Sequence, residues 1–466
     1  MKVLLVNPIT GEREMFAATP NLGLGYLATA LRKDGFEVDV WDGMKKDMTR
    51  KKLEERLKTL DYDTLGVQVY TCSVEEAGNT LSLVKSLNPK ITRIVGGAHI
   101  SGDSENAMKQ LDADYGFRGE AEIGLPKLLN KLIGDENSEL KDIHHLIWRE
   151  DGKLNRNELS PIKDVTALGL PSWDLIDPNE YPNAPIGAFV KSFPLATISC
   201  SRGCPHECTY CANKLIMGRA LRARSQESII EELDLLYNKY GVREYQIIDD
   251  TFTSKRSLAK SVCDEIIRRG WKLNITFPNG VRVESLDEEL LKLLENAGCY
   301  SIGMAIESGS QRIVDHMKRR QNLEMVREKV ELVARTTKIR MTGFFIMGYP
   351  AEEREDILKT IKLARELPLK RAQFTIWIPV PGSEMTETLK CEGKLNIKNL
   401  SGVVLNQINY VPEHLTEDEL QKLLRRAYFE FYFRPKIILG LLSEIQSWEH
   451  FMNIIRRVKR MWSARN

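Results

Sequence analysis

The sequence has no long apolar run, no excess of one charge sign and too few cysteines for a disulfide framework. Its apolar stretches are short, such as Ile437-Ile438-Leu439-Gly440-Leu441-Leu442, against the roughly 20 residues that a bilayer-spanning helix needs. Lysine and arginine total 67 against 65 aspartates and glutamates, a formal charge of +2. That balance gives the molecule as a whole no pull on a polyanion, so nucleic acid is not an implied partner. The opening residues, Met1 to Pro8, read as a strand ending in a turn and have neither the length nor the small-residue cleavage site of a signal peptide, so a cytoplasmic protein is expected. Internal repeats and low-complexity tracts are also lacking. What remains is 466 residues, 42% hydrophobic and 28% charged, enough for two or three domains with their own cores.

The eight cysteines are unevenly spread. Four of them, Cys200, Cys204, Cys208 and Cys211, fall within twelve residues, which in a reducing compartment argues for a metal site. Cys72, Cys263, Cys299 and Cys391 are scattered and read as small buried hydrophobes.

Periodicity divides the chain into four stretches. Residues 1–136 alternate β-branched runs with helical patterns, with strands expected at 2–6, 37–41, 64–70, 94–96 and 114–118; this is a doubly wound, Rossmann-like α/β domain. In such sheets ligands bind beyond the carboxyl ends of the strands, here at 7–20, 69–73, 96–101 and 118–122. Residues 137–190 are punctuated by prolines and read as a linker with a small strand near Leu146. Residues 191–393 repeat strand and helix six times, two units short of a closed eight-stranded barrel, so a partial (β/α)6 barrel is expected. Residues 394–466 are mostly helical, and from Gln421 onward carry ten Lys/Arg against three Glu, with Tyr428, Phe429, Phe431, Tyr432, Phe433, Trp448, Phe451 and Trp462 interleaved. That tail reads either as a helical cap on the barrel or as a peripheral contact with a membrane surface or apolar substrate.

The segment Ser201-Arg202-Gly203-Cys204-Pro205-His206-Glu207-Cys208-Thr209-Tyr210-Cys211 follows the first barrel strand, so it lies at the end of the barrel where active sites form. Its Cys-x3-Cys-x2-Cys spacing allows three thiolates to bind three irons of one cuboidal cluster. The fourth iron stays open, as a catalytic metal requires. A structural zinc site is the alternative, with Cys200 or His206 as a fourth ligand, although no second cysteine pair follows downstream.

Cys204, Cys208 and Cys211, with Tyr210 before the last, resemble the signature of the radical S-adenosylmethionine superfamily. The resemblance continues through Ile247-Ile248-Asp249-Asp250, Asn279-Gly280-Val281-Arg282, Ile306-Glu307-Ser308-Gly309 and Ile346-Met347-Gly348-Tyr349-Pro350-Ala351-Glu352. It implies that the three cysteines hold a catalytic 4Fe-4S cluster and that S-adenosylmethionine lies against Tyr210, Asp249, Asp250, Asn279, Glu307, Ser308 and Gly348. Ala351 stands where many members carry glycine. An α/β domain placed before such a barrel resembles the cobalamin-binding subclass, in which Thr71, Gly96, Gly97, His99, Gly119 and Glu120 would line the corrin. No Asp-x-His-x-x-Gly is present, so an open or water-ligated lower cobalt face is expected rather than a histidine ligand.

The resemblance implies reductive cleavage of S-adenosylmethionine to a 5′-deoxyadenosyl radical, with cobalamin supplying a methyl group to an unactivated carbon. The chain also resembles anaerobic magnesium-protoporphyrin ester cyclases, which makes a radical oxidoreductase or cyclase the second reading and a non-catalytic iron-sulfur module the third. An external electron donor such as flavodoxin or ferredoxin is implied. The substrate stays open among small molecules, lipids, tetrapyrroles and peptides.

Overall fold

A computed structural model describes residues 1–8, 18–59, 61–134, 138–183, 190–395, 407–445 and 452. Strands β1 (Lys2–Asn7), β2 (Glu37–Asp42), β3 (Thr64–Gln68), β4 (Thr92–Gly96) and β5 (Tyr115–Phe117) form a parallel sheet in the order β2-β1-β3-β4-β5. Val3, Leu4, Leu5 and Val6 are each at most 1% exposed, because helices cover both faces and leave a parallel strand no solvent side. The order reverses at β1, which puts the topological switch beside the carboxyl ends of β1 and β3. Of the expected lips, most of 7–20 lies outside the described residues.

The stretch expected to be a linker contributes two more strands to this sheet. β6 (Leu146–Glu150) and β7 (Lys153–Arg156) extend it antiparallel beyond β5. Leu146 and Ile147 are fully buried there, whereas β7 is a polar Lys-Leu-Asn-Arg edge strand with almost no apolar pattern to read.

The second sheet is the expected open barrel. β8 (Leu195–Ile198) leads into a short antiparallel ribbon, β9 (Ser201–Arg202) with β10 (Arg222–Ala223). β11 (Glu244–Ile247), β12 (Asn274–Val281), β13 (Cys299–Glu307), β14 (Arg340–Met347) and β15 (Arg371–Ile376) then complete a six-stranded parallel sheet with β8 and β15 at its edges. The outer helices begin where the sequence offers capping side chains: Ser225 accepts from the amide of Ser228, and Asp287 from that of Leu290. The helix Glu417–Tyr432 starts with a Thr416/Glu419 capping box and buries Leu420, Leu424 and Phe431. Tyr428 and Tyr432 donate to the carbonyls of Phe374 and Ala372 on β15, so this part of the aromatic tail is a cap on the barrel. Phe429 and Phe433 face outward, while Trp448, Phe451 and Trp462 lie outside the described residues. Among the described residues no helix is long and apolar enough to cross a membrane.

The two sheets meet at the cysteine end of the barrel. The helix Ala98–Gly102 after β4 packs on the helix Asn213–Ile216 after the cysteine loop. A side chain on Gly102 would stand 2.3 Å from the carbonyl oxygen of Pro381, so only glycine permits this approach.

Candidate active site

The three cysteines of the loop, with Tyr210, Asp250, Asn279 and Glu307, line one cavity of about 210 Å³ at the carboxyl ends of the barrel strands. The loop is held from several sides. The amide of Cys204 donates to the carbonyl of Gly218, that of Thr209 to Met317, and that of Met385 to Thr209. Gly203 has φ +89°, and a Cβ there would sit 2.2 Å from the carbonyl oxygen of Ala220, so glycine alone turns the chain from β9 into the loop.

Burial pushes the Cys204 thiol up, and pushes that of Cys211 to about 11. Apolar surroundings thus keep these thiols protonated until a metal ion displaces the proton. Among the described residues no three His, Cys, Asp or Glu side chains are gathered closely enough to hold a single metal ion. All three thiols line the same cavity, and three thiolates are a donor set that fits three irons of a multi-iron cluster with one iron left open.

Around the thiols, Tyr210 Oη donates to Glu307 Oε1 at 2.9 Å. Glu307 ends β13 at φ +69°, where the pairing with β14 shifts register after Ala305; a non-glycine residue in this region is strained, as functional residues often are. Burial raises its carboxyl, while the neighbouring Arg319 opposes the rise. Asp250 accepts from Asn213 Nδ2 at 2.8 Å, and Asn279 Nδ2 donates to the carbonyl of Ile248.

Three residues expected against S-adenosylmethionine are engaged elsewhere. Asp249 turns beneath the loop, where it accepts from the amide of Cys200 at 2.7 Å and from Ser201 Oγ, because adjacent residues at a strand end point to opposite sides. Ser308 is fully buried against Thr360 and accepts from the amide of Ser310. Gly348, at φ +74°, faces Leu420 of the capping helix, 2.8 Å from where a Cβ would lie.

Burial pushes the Asp249 carboxyl up to about 7, against the hydrogen bonds from Ser201 and Cys200 that lower it. The folded chain therefore keeps a proton that the unfolded chain releases near pH 4. The group's contribution favours folding at low pH and is lost as the pH rises from about 4 through about 7. The melting temperature of the wild type minus that of Asp249→Asn should accordingly fall between pH 5 and pH 8 in anaerobic scanning fluorimetry; a constant difference contradicts the assignment.

In the first domain, Thr71, Gly96, Gly97 and His99 come together at the ends of β3 and β4. His99 is buried, with Nδ1 3.2 Å from Thr71 Oγ1, and burial lowers its pKa and favours the neutral ring. Gly97 has φ +106° and packs on the carbonyl of Val69, whereas no atom lies nearer than 3.8 Å to a Cβ on Gly96. Beside them Tyr70 remains 38% exposed. An exposed aromatic next to a bare glycine backbone suits the face of a flat macrocycle.

Gly119 and Glu120 do not belong to that surface. Gly119 abuts the carbonyl of Ile216, and its amide donates a hydrogen bond to Ser101 Oγ. The Glu120 carboxylate is buried between two barrel arginines, 2.9 Å from Arg202 Nη1 and 2.7 Å from Arg222 Nη1, and it also accepts from the amide of Ile162. Arg202 pairs in addition with Glu122 at 2.7 Å and lies over the ring of Tyr26. Sequence reasoning missed both arginines, and also Arg282 and Arg319, which line the cavity. Arg202 stands two residues before the first loop cysteine and Arg282 closes the Asn279-Gly280-Val281-Arg282 segment, whereas Arg222 and Arg319 carried no signal.

Comparison with known proteins agrees with this architecture. Residues 198–364 match the radical SAM superfamily and residues 14–129 the B12 binding domain. A protein described as an uncharacterised methyltransferase of Pyrococcus horikoshii is 32% identical over 99% of this chain and 97% of its own length. The anaerobic magnesium-protoporphyrin IX monomethyl ester cyclase of Cereibacter sphaeroides is 25% identical over 94% of this chain and 71% of its own. The solved structure of the radical S-adenosylmethionine methyltransferase TsrM from Kitasatospora setae, bound to tryptophan and a S-adenosylmethionine analogue, superposes with a TM-score of 0.73 at 17% identity, covering 93% of this chain and 90% of that one. Both modules match in the order in which the two sheets occur, and one relative carries the likeness from end to end; the chain belongs to the cobalamin-dependent radical S-adenosylmethionine methyltransferase family.

Proposed function

We propose that the chain methylates an unactivated carbon of a small organic substrate held between the barrel mouth and the first domain. The observation that carries this reading is the single cavity shared by Cys204, Cys208, Cys211, Asp250, Asn279 and Glu307, with the first domain packed on the helix that follows the loop. When bound, the cluster supplies the electron for cleaving S-adenosylmethionine and cobalamin carries the methyl group. Cys204, Cys208 and Cys211 hold the cluster. Asp250 takes the cosubstrate's ammonium group and Glu307 its ribose hydroxyls, with Tyr210 fixing the carboxylate through its hydrogen bond. Asn279, tied to the carbonyl of Ile248, presents its amide oxygen to the same ligand. Thr71, Gly96, Gly97 and His99 support the corrin.

A cyclase or oxidoreductase is the second reading, favoured by the likeness to the Cereibacter sphaeroides cyclase along 94% of this chain. The two separate by product mass. Anaerobically reconstituted protein is incubated with methyl-deuterated S-adenosylmethionine and a small-molecule extract of the host cell. Methylation yields a product enlarged by one labelled methyl group; an unlabelled product that has lost hydrogen or gained oxygen supports the second reading.

A further inference from the structure

Arg319 is buried beside the loop cysteine Cys208, yet it belongs to neither the cysteine motif nor the strand-end segments. Its Nη1 lies 3.7 Å from the sulfur of Cys208, its Nη2 donates to the carbonyl of Ala305 on β13, and its Nε reaches Gln321 Oε1 at 3.3 Å. Only 5% of the residue is exposed. The backbone that presents it is strained on both sides, with Lys318 and Arg320 each at φ +53°, a conformation that costs non-glycine residues free energy and persists only where surrounding contacts impose it. Those contacts all lead to the cysteine loop or its neighbours. Lys318 pairs with Glu384 at 2.6 Å, Arg320 pairs with Glu207 at 2.7 Å, the amide of Thr209 binds the carbonyl of Met317, and Arg282 donates to the carbonyl of Arg319 itself.

We propose that Arg319 sets the reduction potential of the cluster, donating to the Cys208 sulfur and holding a permanent positive charge beside it. The proposal rests on the cluster reading given above. One-electron reduction by a low-potential donor adds a negative charge to the cluster, and a buried cation in hydrogen-bond contact with a ligand sulfur stabilises the reduced form more than the oxidised one. Arginine retains its charge at every working pH, so the effect does not titrate away. The carbonyl of Ala305 and the Gln321 side chain hold the guanidinium in place, and the neighbouring Glu307 carboxylate favours its charged form against the cost of burial. Arg319 is thus a positioning and tuning residue.

The test is a redox titration of the full-length, anaerobically reconstituted protein with dithionite and mediators, followed by the electron paramagnetic resonance signal of the reduced cluster, without S-adenosylmethionine. At iron and sulfide contents equal to wild type, Arg319→Gln should titrate at a more negative potential. Arg319→Lys, which keeps the charge and loses the fork, should fall between the two. Coincident potentials overturn the proposal, and so does a raised KM for S-adenosylmethionine with an unmoved potential, which would make Arg319 a cosubstrate contact. If Arg319→Gln does not retain iron, Arg319→Lys decides: a more negative potential than wild type supports the proposal and an equal one overturns it. Absence of any cluster signal in the wild type overturns the cluster reading as well, whereas equal potentials with intact signals overturn the role of Arg319 alone.

Discussion

Replacing Cys204, Cys208 or Cys211 with alanine should lower release of 5′-deoxyadenosine by more than about 100-fold, because loss of an outer hydrogen-bond partner of a metal ligand alone costs about 10–100-fold. All three thiols line the same cavity, and among the described residues no fourth cysteine lines it: Cys200 is buried in the hydrophobic core, 1% exposed. The measurement is chromatographic quantification of 5′-deoxyadenosine from reduced protein, alongside visible spectra. The sulfur-to-iron absorbance should disappear in each variant while the corrin bands remain, since the residues assigned to the corrin lie at or just beyond the ends of β3 and β4 in the first domain. Retention of activity in any of the three, or loss of both sets of bands together, counts against the assignment.

Glu120→Ala should destabilise the protein by about 3–5 kcal/mol, the range for removing one partner from a buried ion pair, and lower the melting temperature by roughly 3–10 °C. The cost is high because the carboxylate serves two cations at once: its side chain is 2% exposed, and those of Arg202 and Arg222 are each 8% exposed. Without it Arg222 keeps only carbonyl partners, at Ile162, Met217 and Ala220, while Arg202 still has Glu122. Both arginines lie on the ribbon that leads into Cys204, so iron content after reconstitution should fall as well. Cobalamin affinity separates this account from the corrin contact that the sequence suggested for Glu120. Affinity near wild type with reduced melting temperature and iron supports the ion cluster, and the reverse pattern refutes it. Thermal melts, iron assay and cobalamin titration on one preparation give all three readouts.

Much of the fold was legible because its signals are local. Six strand and helix repeats, capping side chains such as Ser225 and Asp287, and the cysteine spacing each act within a few residues of sequence. The same holds for Tyr210 in the cysteine loop and for Asp250, Asn279 and Glu307 at or near the carboxyl ends of strands, all of which line the cavity. What was not legible is which way neighbouring side chains turn. Asp249 and Asp250 are adjacent, yet one supports the loop from below and the other lines the cavity; Glu307 and Ser308 divide in the same way. A single register shift after Ala305 decides the second case, and nothing in the alternation of residues announces it. Glu120 failed for another reason, since its partners lie 82 and 102 residues away. Arg319 likewise meets Cys208 across 111 residues, a separation over which a single sequence carries no pairing information.

The shared carboxylate of Glu120 has an evolutionary corollary. Two carboxylates on one side of a domain boundary and two guanidinium groups on the other form one buried unit, so a change on either side is felt on the other. Recombination that joined this barrel to a foreign amino-terminal module lacking acids at positions 120 and 122 would leave two cations stranded in an apolar seam beside the metal loop. The boundary is therefore a lock that ties the inheritance of one cofactor's housing to that of the other.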